Sequence, residues 1–283
     1  MKVASVEWKT SEWKKINAPI ILIKKIKEYV EKAMKEKVDI IVFPGFTGCF
    51  FQQLCYPDRN IQNLLEIADS GEYIEQIKEL SKSYKIIICP GSYWQREKNN
   101  IYHESGLIQN GEILLKQRQI YLARWERESG FSRGASTGLT EFKNWQLGII
   151  ISTDVFYPQV SRIIALKGVD IVLSPVGFTG EKNLNLQING MWQETQQNQF
   201  FTVESGFNGF LGEKVFWGES MIHAPLEMTE KEDGYLDRNR EQKNLLIADL
   251  DNKKRKKTIS KHNVLNQLNY QFYRKMKIFN ADG

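Results

Sequence analysis

The sequence predicts an α/β protein, and three observations favour this class. Amphipathic helix patterns alternate along the chain with short apolar runs that are typical of buried strands. One such run, Val38–Pro44 (VDIIVFP), is closely echoed by Val169–Pro175 (VDIVLSP) in the second half. Hydrophobic residues make up 41% of the 283 residues, which is ample for a sizeable core. Two helix-then-strand units predict two similar halves of one sheet-rich domain over residues 1–283.

In the first half, the opening residues MKVASVE alternate as a strand does. Apolar side chains then recur at three- and four-residue spacing from Leu22 to Ala33, with lysines and glutamates between them, which predicts an amphipathic helix. The run Val38–Phe43 is stopped by Pro44-Gly45, so we expect a strand buried on both faces. A second helix over about Tyr73–Tyr84 and a strand over Ile86–Cys89 complete this half.

The second half repeats the plan. The predicted elements are strands over 146–152, 169–174, 200–203 and 245–250, and helices over 158–167 and 264–279. A glutamine-rich helix is also expected around Gln187–Gln199. No stretch is long enough to be a linker between domains, so a single domain is expected.

Composition excludes several classes of protein. The N-terminus has no signal-peptide pattern and no apolar run approaches the length of a membrane span, so we expect a cytoplasmic protein without a membrane partner. Cys49, Cys55 and Cys89 show neither metal-ligand spacing nor a disulfide framework. The three histidines are far apart in sequence. We therefore expect no metal and no cofactor.

Several short segments carry a resemblance to a known family, although none is specific alone. In chain order they are MKVA at 1–4, VDIIVFP at 38–44, LGIIIS at 147–152, Arg162, GVDIVLSP at 168–175, GESMI at 218–222 and LIADLD at 246–251. With this order and spacing the chain resembles the nitrilase superfamily of carbon–nitrogen hydrolases over nearly its whole length. The resemblance implies a nitrilase-like four-layer α-β-β-α sandwich, commonly dimerised through helices on one face.

That family uses a catalytic glutamate, lysine and cysteine. A thiolate attacks the carbon, a carboxylate takes the thiol proton, and the lysine ammonium stabilises the oxyanion. Where the family has Phe-Pro-Glu, this chain has FPG ending at Gly45; where it has Ile-Cys-Tyr-Asp, this chain has ISTD, with Ser152 at the cysteine position. The resemblance therefore implies that both the general base and the thiol nucleophile are substituted.

To find the position that matches the family lysine, the family motif must first be aligned with this sequence. The family shows Arg-Lys-x-His-Leu followed by Phe-Glu or Trp-Glu, and this chain has RQIYL at 118–122 followed by Trp125-Glu126. In that register Gln119 occupies the lysine position. Lys116 is the alternative, but an odd offset on a strand points to the opposite face, and the slip would lose the match at Glu126. We favour Gln119 and keep Lys116 open.

The resemblance also places Glu126 beside the pocket, as a second family glutamate. We predict that Thr153, Asp154 and Phe178 line the same pocket. Ser152 is interpreted first as a strand-end serine that hydrogen-bonds nearby backbone, and second as a nucleophile assisted by Glu126 or Asp154.

Two further features invite sharper interpretations. Cys49 suggests a relocated thiol, but nothing adjacent in sequence would lower its pKa, so a structural cysteine is preferred. The basic run Asn252–Lys257 (NKKRKK) suggests a nucleic-acid footprint. It contains no aromatic residue for stacking, so we expect a solvated loop and no nucleic-acid partner.

The leading hypothesis is a family member with a degenerate Glu-Lys-Cys triad at Gly45, Gln119 and Ser152. It is expected to be a non-hydrolytic pseudoenzyme that binds a small molecule in the ancestral pocket or a partner subunit, as a homodimer or larger oligomer. The alternative is a divergent amidase or acyl transferase that uses Ser152 with Glu126 or Asp154. A third possibility is a basic-surface binding module, whose mark would be steeply salt-dependent binding.

Overall fold

The computed structural model describes residues 1–8, 13–238 and 243–271. Two large sheets pack face to face, and helices cover the outer side of each sheet. The predicted α/β class and its four-layer α-β-β-α arrangement are confirmed.

The first large sheet has seven strands: β1 (Lys2–Val6), β2 (Ile40–Val42), β3 (Ile87–Cys89), β4 (Ser92–Glu97), β5 (Asn100–Gln109), β6 (Glu112–Arg118) and β16 (Leu245–Asp249). Their order is β16-β1-β2-β3-β5-β4, and β6 pairs with β5. The three strands β1, β2 and β3 are parallel, while the outer pairs are antiparallel.

The second large sheet has six strands: β7 (Leu139–Phe142), β8 (Trp145–Ile149), β9 (Ile171–Val176), β11 (Phe201–Gly206), β14 (Met221–His223) and β15 (Tyr235–Arg238). Their order is β15-β14-β11-β9-β8-β7, with β8, β9 and β11 parallel. A small third sheet contains β10 (Phe178–Thr179), β12 (Gly209–Leu211) and β13 (Lys214–Trp217).

The helices are α1 (Pro19–Lys35), α2 (Thr47–Cys55), α3 (Ile61–Ile67), α4 (Gly71–Tyr84), α5 (Arg124–Glu128), α6 (Pro158–Leu166), α7 (Leu184–Gln187), α8 (Gln193–Asn198) and α9 (Asn252–Lys261). A kink at Gly190, within the π-helical turn Ile188–Trp192, separates α7 from α8, so the glutamine-rich segment is not one continuous helix. Short 3₁₀ turns lie at Ser152–Phe156, Leu226–Met228 and Leu265–Gln267. Among the described residues, no helix combines the length and apolarity that crossing a membrane requires.

Side-chain alternation explains the layers. On β2, Ile40 and Val42 face the second sheet, whereas Ile41 between them faces the layer that contains α1. On β9, Leu173 faces the first sheet and Val172 packs on the side of α6. Each central strand is buried on both faces, which is why these strands are continuous apolar runs in the sequence.

Two predictions about the C-terminal part were wrong or only partly testable. The basic run is not a loop: it forms α9, capped by the Asp251 carboxylate, which accepts the backbone N–H groups of Lys253 and Lys254. One of its cations, Arg255, is buried. The helix predicted over 264–279 begins as the 3₁₀ turn Leu265–Gln267, and its part beyond residue 271 lies outside the described residues.

Candidate functional site

The three positions predicted to match the family triad follow strand ends and lie around two residues at the end of β9. Gly45 lies against the backbone of Val176, and Ser152 donates its hydroxyl to the carbonyl of Gly177 at 2.8 Å. Gln119, just after β6, reaches the same region through Thr153, the neighbour of Ser152. The structure thus brings Gly45, Gln119 and Ser152 to one place.

Gly45 leaves no room for a side chain. A Cβ atom at this position would lie 2.6 Å from both the carbonyl carbon and the carbonyl oxygen of Val176, and 3.0 Å from its nitrogen. These are backbone atoms of a central strand, which cannot rotate out of the way as a side chain would. A glutamate at position 45 therefore requires the backbone to move.

Gln119 is buried and its side-chain amide is fully engaged. The Nε2 group donates to Glu126 Oε2 at 2.9 Å, to Thr153 Oγ1 at 2.6 Å and to Tyr121 O at 3.0 Å, while Oε1 pairs with His103 Nδ1. Lys116 is exposed on β6, away from these contacts. The predicted lysine position thus holds a neutral amide whose hydrogen bonds all go to protein groups.

Ser152 adopts a left-handed backbone conformation with φ of 47° and begins the 3₁₀ turn Ser152–Phe156. Its side chain is buried, and its hydroxyl bonds to the Gly177 carbonyl. A serine needs a base within hydrogen-bond reach to act as a nucleophile. In the described part of the chain the hydroxyl meets a backbone carbonyl instead.

Glu126 lies in α5 and is buried. Its Oε2 accepts the Ala123 N–H at 2.7 Å and the Gln119 amide, and its Oε1 pairs with His103 Nδ1 at 2.8 Å. These contacts hold the carboxylate rigidly below the site.

Asp154 orients the segment that carries Gln119. Its carboxylate accepts the backbone N–H of Ile120 at 3.0 Å and that of Tyr121 at 2.6 Å. Burial raises the pKa of Asp154 to about 7, against the lowering effect of those hydrogen bonds, and the charge of Glu126 adds to the rise. The group is therefore half protonated near neutral pH.

Sequence reasoning missed Ser92 and His103, which complete the buried polar cluster. His103 Nε2 pairs with Ser92 Oγ at 2.7 Å, and Ser92 Oγ also accepts the N–H of Phe46 at 2.8 Å. Both residues come from neighbouring strands of the first sheet, far from Ser152 in sequence. The available signal was His103 itself, a histidine in a strand in which the other alternate residues are buried. This signal is too weak to identify the partners of the histidine.

An aromatic side chain closes the site. Phe46 has φ of 58°, and its ring centre lies 4.6 Å from that of His103 and 4.5 Å from that of Phe216. The same ring packs against Gly177, where a Cβ would come within 2.8 Å of it. Phe46 therefore fills space directly beside the carbonyl that holds Ser152.

The predicted pocket residue Phe178 lies elsewhere, whereas the thiol of Cys49, expected to be structural, faces the backbone carbonyl of Ser92 at 3.8 Å. The ring of Phe178 packs between those of Phe156 and Trp217, each 5.1 Å away, in the core below the second sheet. Cys49 is fully buried, and burial raises the pKa of its thiol well above the ordinary value, so a thiolate at this position is disfavoured.

An open cleft of about 550 Å³ lies outside the closed site. It is lined by Trp125, Thr179, Gly180, Glu181, Lys214 and Val215. The ammonium of Lys214 stands 5.6 Å from the ring centre of Trp125. Trp125 also contacts Phe46, with ring centres 6.4 Å apart, so the cleft and the buried cluster are separated by aromatic rings. No group of metal-binding side chains was found among the described residues.

The carbon-nitrogen hydrolase family model matches residues 3–259. The chain belongs to this family. It is 27% identical over 250 residues to the probable hydrolase YhcX of Bacillus subtilis, covering 85% of this chain and 48% of that protein. It is 26% identical over 187 residues to a citrullinase of Francisella tularensis, covering 61% of this chain and 62% of that protein. The chain thus spans about half to two thirds of the length of these two relatives.

The fold agrees with solved structures of nitrilase-superfamily amidases. A mutant of the Nesterenkonia AN1 amidase superposes with a TM-score of 0.75, covering 97% of this chain and 96% of that chain at 16% sequence identity. At this identity the likeness concerns the fold alone, and the chemistry must be argued from the residues of the site.

Proposed function

We propose that this chain is a member of the carbon–nitrogen hydrolase family that does not hydrolyse carbon–nitrogen bonds. The observation that carries the proposal is the contact between Gly45 and the Val176 backbone, because it removes the general base and the space that a base would need. The neutral Gln119 amide and the Ser152 hydroxyl add to it. Loss of a whole catalytic triad lowers kcat by about six orders of magnitude in a serine protease, where this has been measured.

The alternative, an amidase that uses Ser152 with Glu126 or Asp154, receives less support from the geometry. A general base must lie within hydrogen-bond reach of the proton that it takes. The Glu126 oxygens bond to Gln119, Ala123 and His103, and the Asp154 oxygens bond to two backbone N–H groups. The proton of Ser152 points to a carbonyl instead.

The proposed ligand site is the cleft beside Trp125, because Phe46 fills the space at the ancestral site. The cleft combines an indole face, a cation at Lys214 and an anion at Glu181. These groups suit a small aromatic or zwitterionic molecule. Tryptophan fluorescence should change on titration with such ligands, and Trp125→Ala should abolish the response.

The proposal includes a homodimer formed through α6. This helix presents Ile163 and Leu166 to solvent, each about half exposed, next to a buried face that packs on the second sheet. Apolar side chains on an outer helix are typical of an association surface. Ile163→Asp should halve the mass measured by sedimentation, whereas an unchanged mass would remove α6 from the interface.

The proposed lack of carbon–nitrogen bond hydrolysis is tested by ammonia release from a panel of amides, nitriles and carbamoyl compounds. The unmodified protein and Ser152→Ala are compared under the same conditions. We expect background release from both. Steady turnover by the unmodified protein, if it is abolished in Ser152→Ala, would contradict the proposal and favour the amidase alternative.

A further inference from the structure

A serine, a histidine and a glutamate form a hydrogen-bonded row inside the first half of the molecule. Ser92 Oγ lies 2.7 Å from His103 Nε2, and His103 Nδ1 lies 2.8 Å from Glu126 Oε1. All three side chains are at most 1% exposed. None of them occupies a position of the family triad. The arrangement is that of serine hydrolases, in which one imidazole nitrogen faces the hydroxyl and the other faces a carboxylate.

The hydrogen-bond partners fix the tautomer of His103. Nδ1 faces two acceptors, the Glu126 carboxylate and the Oε1 atom of Gln119, so Nδ1 carries the proton. The orientation of the Gln119 amide is itself fixed, because its Nε2 faces three acceptor oxygens. With the proton on Nδ1, Nε2 is the nitrogen that can accept the hydroxyl of Ser92.

We propose that Ser92, His103 and Glu126 form a serine acyl-transfer site that acts on short-chain acyl esters. This site is separate from Ser152 and goes beyond the proposed function, which concerns C–N bonds and the family mechanism. The backbone N–H of Phe46 now donates to Ser92 Oγ at 2.8 Å. In the reaction it can donate instead to the ester carbonyl oxygen, on which negative charge develops.

Phe46 controls access to this site. Its ring covers His103 on one side and faces Phe216 and Trp125 on the other, and Trp125 lines the open cleft. Its φ of 58° is a conformation that bulky residues seldom adopt, and such strain is concentrated at functional sites. The proposed reaction requires this ring to move, and the space it would leave, about the size of a benzyl group, limits the acyl part of the substrate to a few carbons.

The reaction balances with water as the second substrate. Ser92 Oγ bonds to the ester carbonyl carbon as its proton passes to His103 Nε2. The carbon–oxygen bond to the alcohol then breaks, and the alcohol leaves with that proton. Water attacks the acyl-serine, gives its proton to Nε2 and releases the carboxylic acid as the proton returns to Ser92. Glu126 keeps its hydrogen bond to Nδ1 throughout and stabilises the imidazolium.

The test uses 4-nitrophenyl acetate and an alkyl fluorophosphonate on the unmodified protein, with the modified peptide identified by mass spectrometry. We expect acylation and phosphonylation of Ser92, and loss of both in Ser92→Ala. His103→Gln should slow acylation by about 10²-fold through loss of the general base. Ser105→Ala is the matched control, since Ser105 is a buried serine opposite Ser92 in the β4–β5 pairing and hydrogen-bonds to the Gly91 carbonyl.

Phe46→Leu tests the gate, and we expect it to speed the modification of Ser92 by about tenfold because entry no longer waits for a ring to move. Absence of Ser92 modification in both the unmodified protein and folded Phe46→Leu would overturn the proposal, as would modification that survives Ser92→Ala. If Phe46→Leu does not fold, the unmodified protein decides alone. Ammonia release that depends on Ser152 would defeat the proposed function and leave this proposal standing.

Discussion

The two halves of the molecule share a repeated motif but surround it differently. Asp39 precedes β2 and Asp170 precedes β9, and each carboxylate accepts the backbone N–H of the adjacent strand, from Lys2 at 2.8 Å and from Gln146 at 2.9 Å. Each carboxylate also binds a cation: Asp39 binds Lys143, which lies between β7 and β8, and Asp170 binds Arg255 in α9. The side chain of Lys143 is 61% exposed, whereas that of Arg255 is 8% exposed.

The repeated motif determines the backbone geometry at both aspartates. Residues far away in sequence determine how strongly each aspartate is bound. Both aspartates anchor the start of a central strand in the same way. The residues at the ends of those strands differ between the two halves. Gly45, after β2, packs on Val176 at the end of β9. The two repeats therefore contact each other at Gly45, one of the predicted triad positions.

Arg255→Ala should have the largest effect on stability. The guanidinium also donates to the Gln199 carbonyl at 2.6 Å and to the Val169 carbonyl at 3.2 Å, so its loss leaves Asp170 and two carbonyls without their partner. Breaking a buried ion pair costs about 3–5 kcal/mol of unfolding free energy. Urea denaturation should show the loss as a lower midpoint. A change below that of Lys143→Ala would contradict the difference drawn between the halves.

Gly45→Ala should come next, because its methyl group meets the Val176 backbone at 2.6 Å. Overpacking of this kind costs about 1–3 kcal/mol of unfolding free energy. Gly71→Ala is the control, since a methyl group there meets the movable Asp69 carboxylate at 3.2 Å. Equal stability of the two variants would show that the halves do not press on each other at this point.

Asp154→Asn should change the pH dependence of stability. The folded-state pKa of about 7 lies above the ordinary value of 3.8, so the folded protein retains a proton that the unfolded chain releases. The retained proton contributes fully to the free energy of unfolding below about pH 4, and this contribution is lost as the pH rises through 7. Asp154→Asn should flatten that fall in stability while keeping the amide oxygen as an acceptor. An unchanged slope between pH 4 and 7 would assign the titration to another group.

Lys143→Ala should have the smallest effect. An exposed ion pair contributes about 0.2–1 kcal/mol, and salt screens it. We expect a loss in that range at low ionic strength and a smaller one at high salt, both measured by urea denaturation. A loss as large as that of Arg255→Ala would show that burial of the cation is not what distinguishes the two repeats.

Much of the fold was predictable from the sequence, because strands buried on both faces leave continuous apolar runs such as Val38–Phe43. The environment of α9 was not, since its lysines gave the pattern of a solvated segment and the burial of Arg255 depends on Asp170, far away in sequence. In the site, a motif register placed Gln119 and Ser152. His103 and Phe46 belong to no motif, and their roles follow from packing across the sheet.

The most direct test of the closed site is to restore the family triad in this chain. Gly45→Glu, Gln119→Lys and Ser152→Cys are combined, and ammonia release from the amide, nitrile and carbamoyl panel is measured alongside circular dichroism. We expect the triple variant to release no more ammonia than the unmodified protein, because the glutamate has no space beside Val176 and Phe46 fills the site. Sustained turnover by a folded triple variant would contradict it, and would mean that the three lost side chains alone separate this chain from an active hydrolase.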